Sequence, residues 1–189
     1  MKVILKDVRI AFIDALWTPK QYQGAGPFRR SATFLIVPGS DNDKALEAAI
    51  EKVAAEKFGK KAASVLAGVR GNSNKCCYMD GNTKADYDGF PGMMYLASHR
   101  KDADGPVLVI DANKAPLAEG AGRPYAGCYV NASVDIYAQD GQNTGIRSGL
   151  IGVQFFRDGD SFGGASRSDG SEFEDLGTGA DAETEEDFA

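Results

Sequence analysis

The chain is poor in the residues that metal and nucleophile chemistry require. It has one histidine, His99, in 189 residues, which excludes a His-rich metal site and disfavours a conventional catalytic triad. Its three cysteines are an adjacent pair, Cys76 and Cys77, and a distant Cys128. That is no disulfide framework, and it points to a reduced, intracellular protein. Apolar runs are only a few residues long, such as 34–37 and 107–110, so no membrane-spanning helix and no secretory signal are expected. Residues 168–189 contain no lysine or arginine.

That last absence organises the charge. The net charge of −6 hides nine acids in 168–189, against 18 acids and 21 bases before them. The chain reads as a mildly basic body, 1–164, followed by an acidic tail, 165–189. Such a block repels itself and is expected to be disordered. A tail that only aided solubility would have no use for an aromatic, yet Phe188 stands next to last, beside Asp187. The pair fits a tail that docks on a basic surface, its own or a partner's.

In the body, 2–13 alternates but changes phase at Lys6-Asp7, the mark of a bulged strand. Residues 14–28 read as a loop holding Trp17, Tyr22 and Phe28, and 29–37 as a second strand. Asp41 and Asp43 offer caps for a helix over 44–58, stopped by Gly59, with a second short helix over 60–69. Beyond Gly71 the chain reads as strands, at 75–79, 93–99, 107–110, 125–138 and 146–157, separated by Asp-Gly and Asn-rich turns. In 125–137 the even positions are small and apolar, and the odd positions are polar or aromatic, so one face is core and the other partly wet. The expected fold is mainly β: an OB-fold-like β-barrel with a helical insert at about 41–69 after the second strand. A β-sandwich is the alternative.

Catalytic patterns fail on context. The stretch 159–163 matches G-x-S-x-G, but no strand–turn–helix and no later histidine accompany it. The stretch 177–182 matches G-x-G-x-x-A, but no strand precedes it and acids surround it. Asp111 and Lys114 at a strand end could serve a metal-dependent nuclease, but one acid and one lysine meet by chance in most proteins and a structural turn is the favoured reading. Cys76 and Cys77 point to opposite faces of a strand and do not form a zinc site. No cofactor is expected.

What remains is a pattern of cations beside rings: Trp17, Lys20 and Tyr22 in the first loop; Phe28, Arg29 and Arg30 at a strand start; Lys75 and Tyr78; Tyr95, His99, Arg100 and Lys101; and Arg123 and Tyr125, with Tyr129 and Tyr137 along the same face. Single-stranded nucleic acid calls for this combination, because cations track phosphates and rings stack unpaired bases at about 1–3 kcal/mol each.

The stretch 30–37, and more strongly 125–131 continuing through Gly145-Ile146, Gly149-Leu150 and 153–159, resembles the OB-fold single-stranded DNA-binding proteins of tailed bacteriophages. The acidic tail ending in an aromatic matches as well. The resemblance implies a non-catalytic protein that cooperatively coats and protects single strands during phage replication and recombination in the cytoplasm of the infected host. It also implies tail contacts with replication or recombination enzymes, and homodimers in some relatives. The competing readings are the Asp111 nuclease and a structural protein that never touches nucleic acid.

Overall fold

The computed structural model describes residues 1–22 and 24–163, with Tyr22 as backbone only. The strands are β1 (Lys2–Ala11), β2 (Lys20–Tyr22), β3 (Ala25–Ile36), β4 (Tyr78–Asp80), β5 (Met94–Lys101), β6 (Leu108–Ile110), β7 (Tyr129–Gln139) and β8 (Gly145–Arg157). The α-helices are α1 (Asp14–Trp17), α2 (Asp41–Phe58) and α3 (Ala62–Val69).

The phase change in the first strand is a bulge. Pairing of β1 with β7 shifts between Leu5 and Val8, and Asp7 takes φ 51°. The extra residue lets Val3 and Leu5 face inward on one side of the break and Val8 and Ile10 on the other, all buried.

Five strands close into a ring. β1 pairs antiparallel with β3 and β7, β7 with β8, and β3 with β5. The ring closes where β5 meets β8 in parallel, in a single bridge between His99 and Gly149. Inside that bridge the buried hydroxyls of Ser98 and Ser148 lie 2.7 Å apart and satisfy each other. This is the arrangement of an OB-fold barrel. The short strands lie outside the ring: β2 pairs with β3, β4 with β5, and β6 runs parallel to β8. Inward residues such as Ile10, Phe34, Leu96, Val134, Ile136 and Ile146 are fully buried; each contributes about 1.5–3 kcal/mol by leaving water.

The helical insert follows the second strand of the ring. The Ser40 hydroxyl accepts the Asp43 N–H at 3.3 Å, and Asp41 and Asp43 place negative charge on the first turn, where the helix dipole favours it. Leu46, Ala49, Ile50, Val53 and Ala54 recur at helical spacing and are buried. Gly59, at φ 53°, ends the helix.

Three sequence expectations change. The loop over 14–28 contains α1 and the β2–β3 hairpin. Residues 75–77 form no strand of their own: they meet β8 in a Cys76–Ile146 bridge, and the Cys77 carbonyl accepts the Ala97 N–H of β5 at 2.9 Å. The strand expected from 125 begins at Tyr129, because Gly127 adopts φ 103° and its position is roofed by residues 158–163.

Residues 158–163 form a strap across the outside of the barrel. Phe162 N–H donates to Ala126 O at 2.9 Å, and Gly163 N–H to Asp88 Oδ2 at 2.9 Å. Arg9 pins it: Nε donates to Gly127 O at 3.0 Å and Nη2 to Asp160 O at 2.6 Å, while the guanidinium lies 4.2 Å from the Phe162 ring centre. A Cβ at Gly127 would meet Asp160 O at 2.1 Å, and one at Gly89 would meet the Phe162 ring at 2.5 Å. Gly127→Ala therefore forces both a clash and an unfavourable φ, and should cost about 1–3 kcal/mol, read as a lower thermal unfolding midpoint.

Candidate nucleic-acid interface

Residues opposite one another in an antiparallel pair share a face, so the β3–β5 register sorts the predicted cations. Arg29 lies opposite Lys101, Ser31 opposite His99, Thr33 opposite Ala97 and Leu35 opposite Tyr95, all with the outward parity, although Thr33, Leu35 and Tyr95 are covered by other segments. Arg30 lies opposite Arg100 with the inward parity.

The outward set forms a basic surface. Arg29, His99 and Lys101 are exposed, and Arg147 on β8 lies close enough to lower the pKa of His99. His99 titrates below the usual imidazole value because partial burial disfavours its charged form and because Arg29 and Arg147 repel it. None of Arg29, Lys101 and Arg147 has a carboxylate within ion-pair distance among the described residues. Tyr137, 45% exposed, is paired with Arg147 across β7 and β8. Exposed Lys75 lies beside the start of β8, its carbonyl accepting the Ile146 N–H at 2.8 Å. Exposed Lys20 is paired with Arg29 across the hairpin and stands 3.9 Å from Asp14. Gly149, beside His99, lies opposite Asp135, whose carboxylate pairs with the N-terminal ammonium at 2.7 Å.

The remaining predicted residues do not join this surface. Arg30 pairs with Asp102, and Arg100 donates to the carbonyls of Gly105 and Asp104, so both arginines fasten the turn after β5. Arg123 pairs with Asp158 at 3.2 Å over the Phe155 ring, and Tyr125, 8% exposed, donates to Asp158 Oδ1 at 2.9 Å; both hold the start of the strap. Tyr78 is 4% exposed and donates to Asp43 Oδ1 at 2.7 Å; burial, then this contact with a carboxylate, pushes its pKa up. Tyr95, 3% exposed, packs with Phe90 at 5.5 Å. Tyr78, Tyr95 and Tyr125 therefore cannot present a ring face to a base. Trp17 is half-buried against the core. Phe28 is exposed but has the opposite parity to Arg29 on the hairpin. The Tyr22 side chain, Asp187 and Phe188 lie outside the described residues.

Sequence reasoning missed Arg147, which the alternation of β8 places outward opposite Tyr137. It also missed an aromatic cluster on the same outer face, at the Leu35–Tyr95 end. Phe12 lies 5.0 Å from Tyr87 and 5.2 Å from Phe90, with the Lys84 ammonium 5.1 Å from the Phe12 ring. A pocket of about 290 Å³ opens there, walled by Phe12, Tyr87, Phe90 and Phe162 and edged by Asp14, Asp86 and Asp88. No local periodicity marks 81–93, so only the fold reveals these rings.

Two chemical motifs resolve as turns. Asp111 Oδ1 accepts the N–H groups of Asn113 and Ala115, each at 2.8 Å, which occupies the carboxylate in a turn. The G-x-S-x-G stretch is the strap itself.

The model of the family described as "Enterobacter phage Enc34, ssDNA-binding protein" matches residues 1–189. The chain belongs to this family. It is thus a phage-type single-stranded DNA-binding protein of a non-catalytic family, which removes the nuclease reading. The p50 protein of Acyrthosiphon pisum secondary endosymbiont phage 1 is 43% identical over 179 residues, covering 93% of this chain and 94% of that protein. Among solved structures, the single-stranded DNA-binding protein of bacteriophage Enc34 in complex with ssDNA is similar at TM-score 0.70 and 19% identity, covering 86% of this chain and 89% of that one. Gp2.5, a single-stranded DNA-binding protein encoded by bacteriophage T7, is similar at TM-score 0.53 and 14% identity, covering 96% and 100%. At these identities the likeness shows the shared barrel fold.

Because the Tyr78 hydroxyl serves the fold, Tyr78→Phe in this family member should lower stability by about 1.5 kcal/mol in chemical denaturation. Affinity for oligonucleotides should stay unchanged.

Proposed function

We propose that the protein holds unpaired DNA across the outer face of β3, β5 and β8, and does so without catalysis. The β2–β3 hairpin forms one rim and the 140–144 turn the other. The observation that carries this reading is the cluster of Arg29, His99, Lys101 and Arg147 on one face of the barrel, its permanent cations unpaired among the described residues. Unpaired cations repel one another and wait for an anion. The strand-two and strand-three face of an OB barrel, with its flanking loops, is where such barrels take oligonucleotides. A solved complex of the Enc34 relative with ssDNA supports the same ligand here. Arg29, Lys101, Arg147, Lys20 and Lys75 neutralise phosphates, and Tyr137 offers ring surface to bases.

The acidic tail is the second anion for that face. Asp187 and Phe188 at its end dock on the cationic surface when DNA is absent. DNA displaces the tail and frees it for replication or recombination enzymes of the infected host cell. Two anions competing for one surface each weaken the other.

Two measurements test this. Arg29→Ala with Lys101→Ala should flatten the log–log salt dependence of oligonucleotide binding by about 0.7 for each phosphate no longer neutralised, measured by fluorescence anisotropy; an unchanged slope places the strand elsewhere. Removing 168–189 takes the formal charge from −6 to a body with 18 acids and 21 bases, and should tighten binding to oligo-dT at low salt. Equal affinity of both forms would end the competition reading.

A further inference from the structure

Around the barrel from the basic face, the outer surface of β1, β7, β8 and β6 carries a furrow. Ile4 lies opposite Ser133, Ser133 opposite Gly152, and Gly152 beside Leu108, so one row crosses all four strands. Ile4 is 51% and Leu108 59% exposed, whereas their chain neighbours Val3, Leu5, Val107 and Val109 are buried. Gly152 and Ser133 leave a space of about 190 Å³ between these two aliphatic walls. The surface there is unfinished. Two large apolar groups stand in water across the furrow, and the Ser133 hydroxyl at its floor is buried with no hydrogen-bond partner among the described residues.

Charge narrows what can cover it. Lys2, Ile4 and Lys6 alternate with buried Val3 and Leu5, so a lysine stands on each side of Ile4. Both lysines are exposed, and neither has a carboxylate within ion-pair distance among the described residues. The acids nearby are already engaged: Asp135 with the N-terminal ammonium, Asp7 with Arg157, and Asp111 with two N–H groups of its own turn. Aliphatic walls give a nucleobase no ring to stack on. The fitting occupant is a large apolar side chain that arrives between negative charges.

The chain's own tail has that pattern. In 172–176 the ring of Phe173 stands between Glu172 and Glu174, with Asp175 and Leu176 following. Its reach suffices. Gly163 is fastened to Asp88 and lines the aromatic pocket beside Phe12. Phe12 and Ile4 are eight residues apart along the first strand and its end, at most about 26 Å. The ten residues from Gly163 to Phe173 span up to about 33 Å. We infer that Phe173 seats in the furrow between Ile4 and Leu108, with Glu172 and Glu174 beside Lys2 and Lys6. The inner half of the tail is then anchored on the face of β1 and β6, and the fifteen residues beyond the anchor carry Phe188. This goes beyond the tail's contact with the basic face: it uses other residues on another face, and it stands whether or not the barrel holds DNA.

The test uses the full chain with labelled isoleucine and leucine methyl groups, followed by NMR. Ile4→Val and Leu108→Val assign the two furrow signals. A ring seated between these walls holds their methyl signals upfield, so Phe173→Ala should move both downfield and leave those of buried Ile136 in place. Chymotrypsin supplies a second readout, because cleavage after Phe173 follows the population of the unseated tail. Ile4→Asp should speed that cleavage about fivefold, with thermal melting to confirm that the barrel folds. Lys2→Glu with Lys6→Glu should speed it likewise. Adding Glu172→Lys and Glu174→Lys to that pair should restore the slow rate, which damage to the barrel would not allow.

Furrow signals that ignore Phe173→Ala would overturn the proposal, and so would a charge reversal without rescue. Loss of the upfield shifts on dilution would make the occupant a second copy's tail and overturn the contact within one chain. Ile4 and Leu108 signals that move with oligo-dT in the Phe173→Ala chain would make the furrow part of the strand's path and overturn it too.

Discussion

The register between β3 and β5 sets which cations face outward and which residues meet the core. Eight consecutive pairs, from Arg29 opposite Lys101 to Ile36 opposite Met94, hold it. A slip of one residue would turn Phe34 and Leu96 outward and bring Arg29 and His99 into the barrel. Burying those cations unpaired would cost far more than the strand pairing returns. The hydrophobic alternation and the basic face are therefore one constraint, since each register that buries the apolar set also exposes Arg29, His99 and Lys101.

The surface that results has two regions of different chemistry. Around Arg29, His99, Lys101 and Arg147 it is cationic; around Phe12, Tyr87 and Phe90 it is aromatic and edged by carboxylates. The strap lies over the aromatic end. Arg9, opposite Leu35, belongs to the aromatic end, where its guanidinium is shared between two carbonyls and the rings of Tyr129 and Phe162. The formal charge of −6 describes neither region, and only separating the tail from the body makes the basic face visible.

Much of the barrel was legible in the sequence, and the limits have physical reasons. The bulge at Lys6-Asp7, the alternating face of β7 and the helical insert each follow from local periodicity, which a strand or helix must obey to bury one side. Arg29 and Arg30 looked like one basic pair in sequence, but parity sends one to solvent and the other to Asp102, 72 positions away. Tyr78 and Tyr95 looked like rings available to a ligand. The partners that cover them, Asp43 and Phe90, come from segments whose approach no local pattern encodes. Tyr125 continued the alternation of β7 by coincidence, while its backbone turns away at Gly127 to pass beneath the strap. Residues that hold the barrel's turns and residues that would hold a ligand use the same arginines and tyrosines, so composition alone cannot separate them.

The closure of the ring has a mechanical side. Every other junction is a ladder of several pairs, whereas β5 and β8 meet in one bridge backed by one hydroxyl pair. That seam is where the wall is thinnest, and it runs beneath His99 and Arg147. A polyanion laid across it, as the proposed function requires, would gather positive groups from both edges and draw the lips together. Occupancy would then reinforce the cylinder at its weakest line, and amide protons along the junction would gain protection from the same contacts that hold the guest.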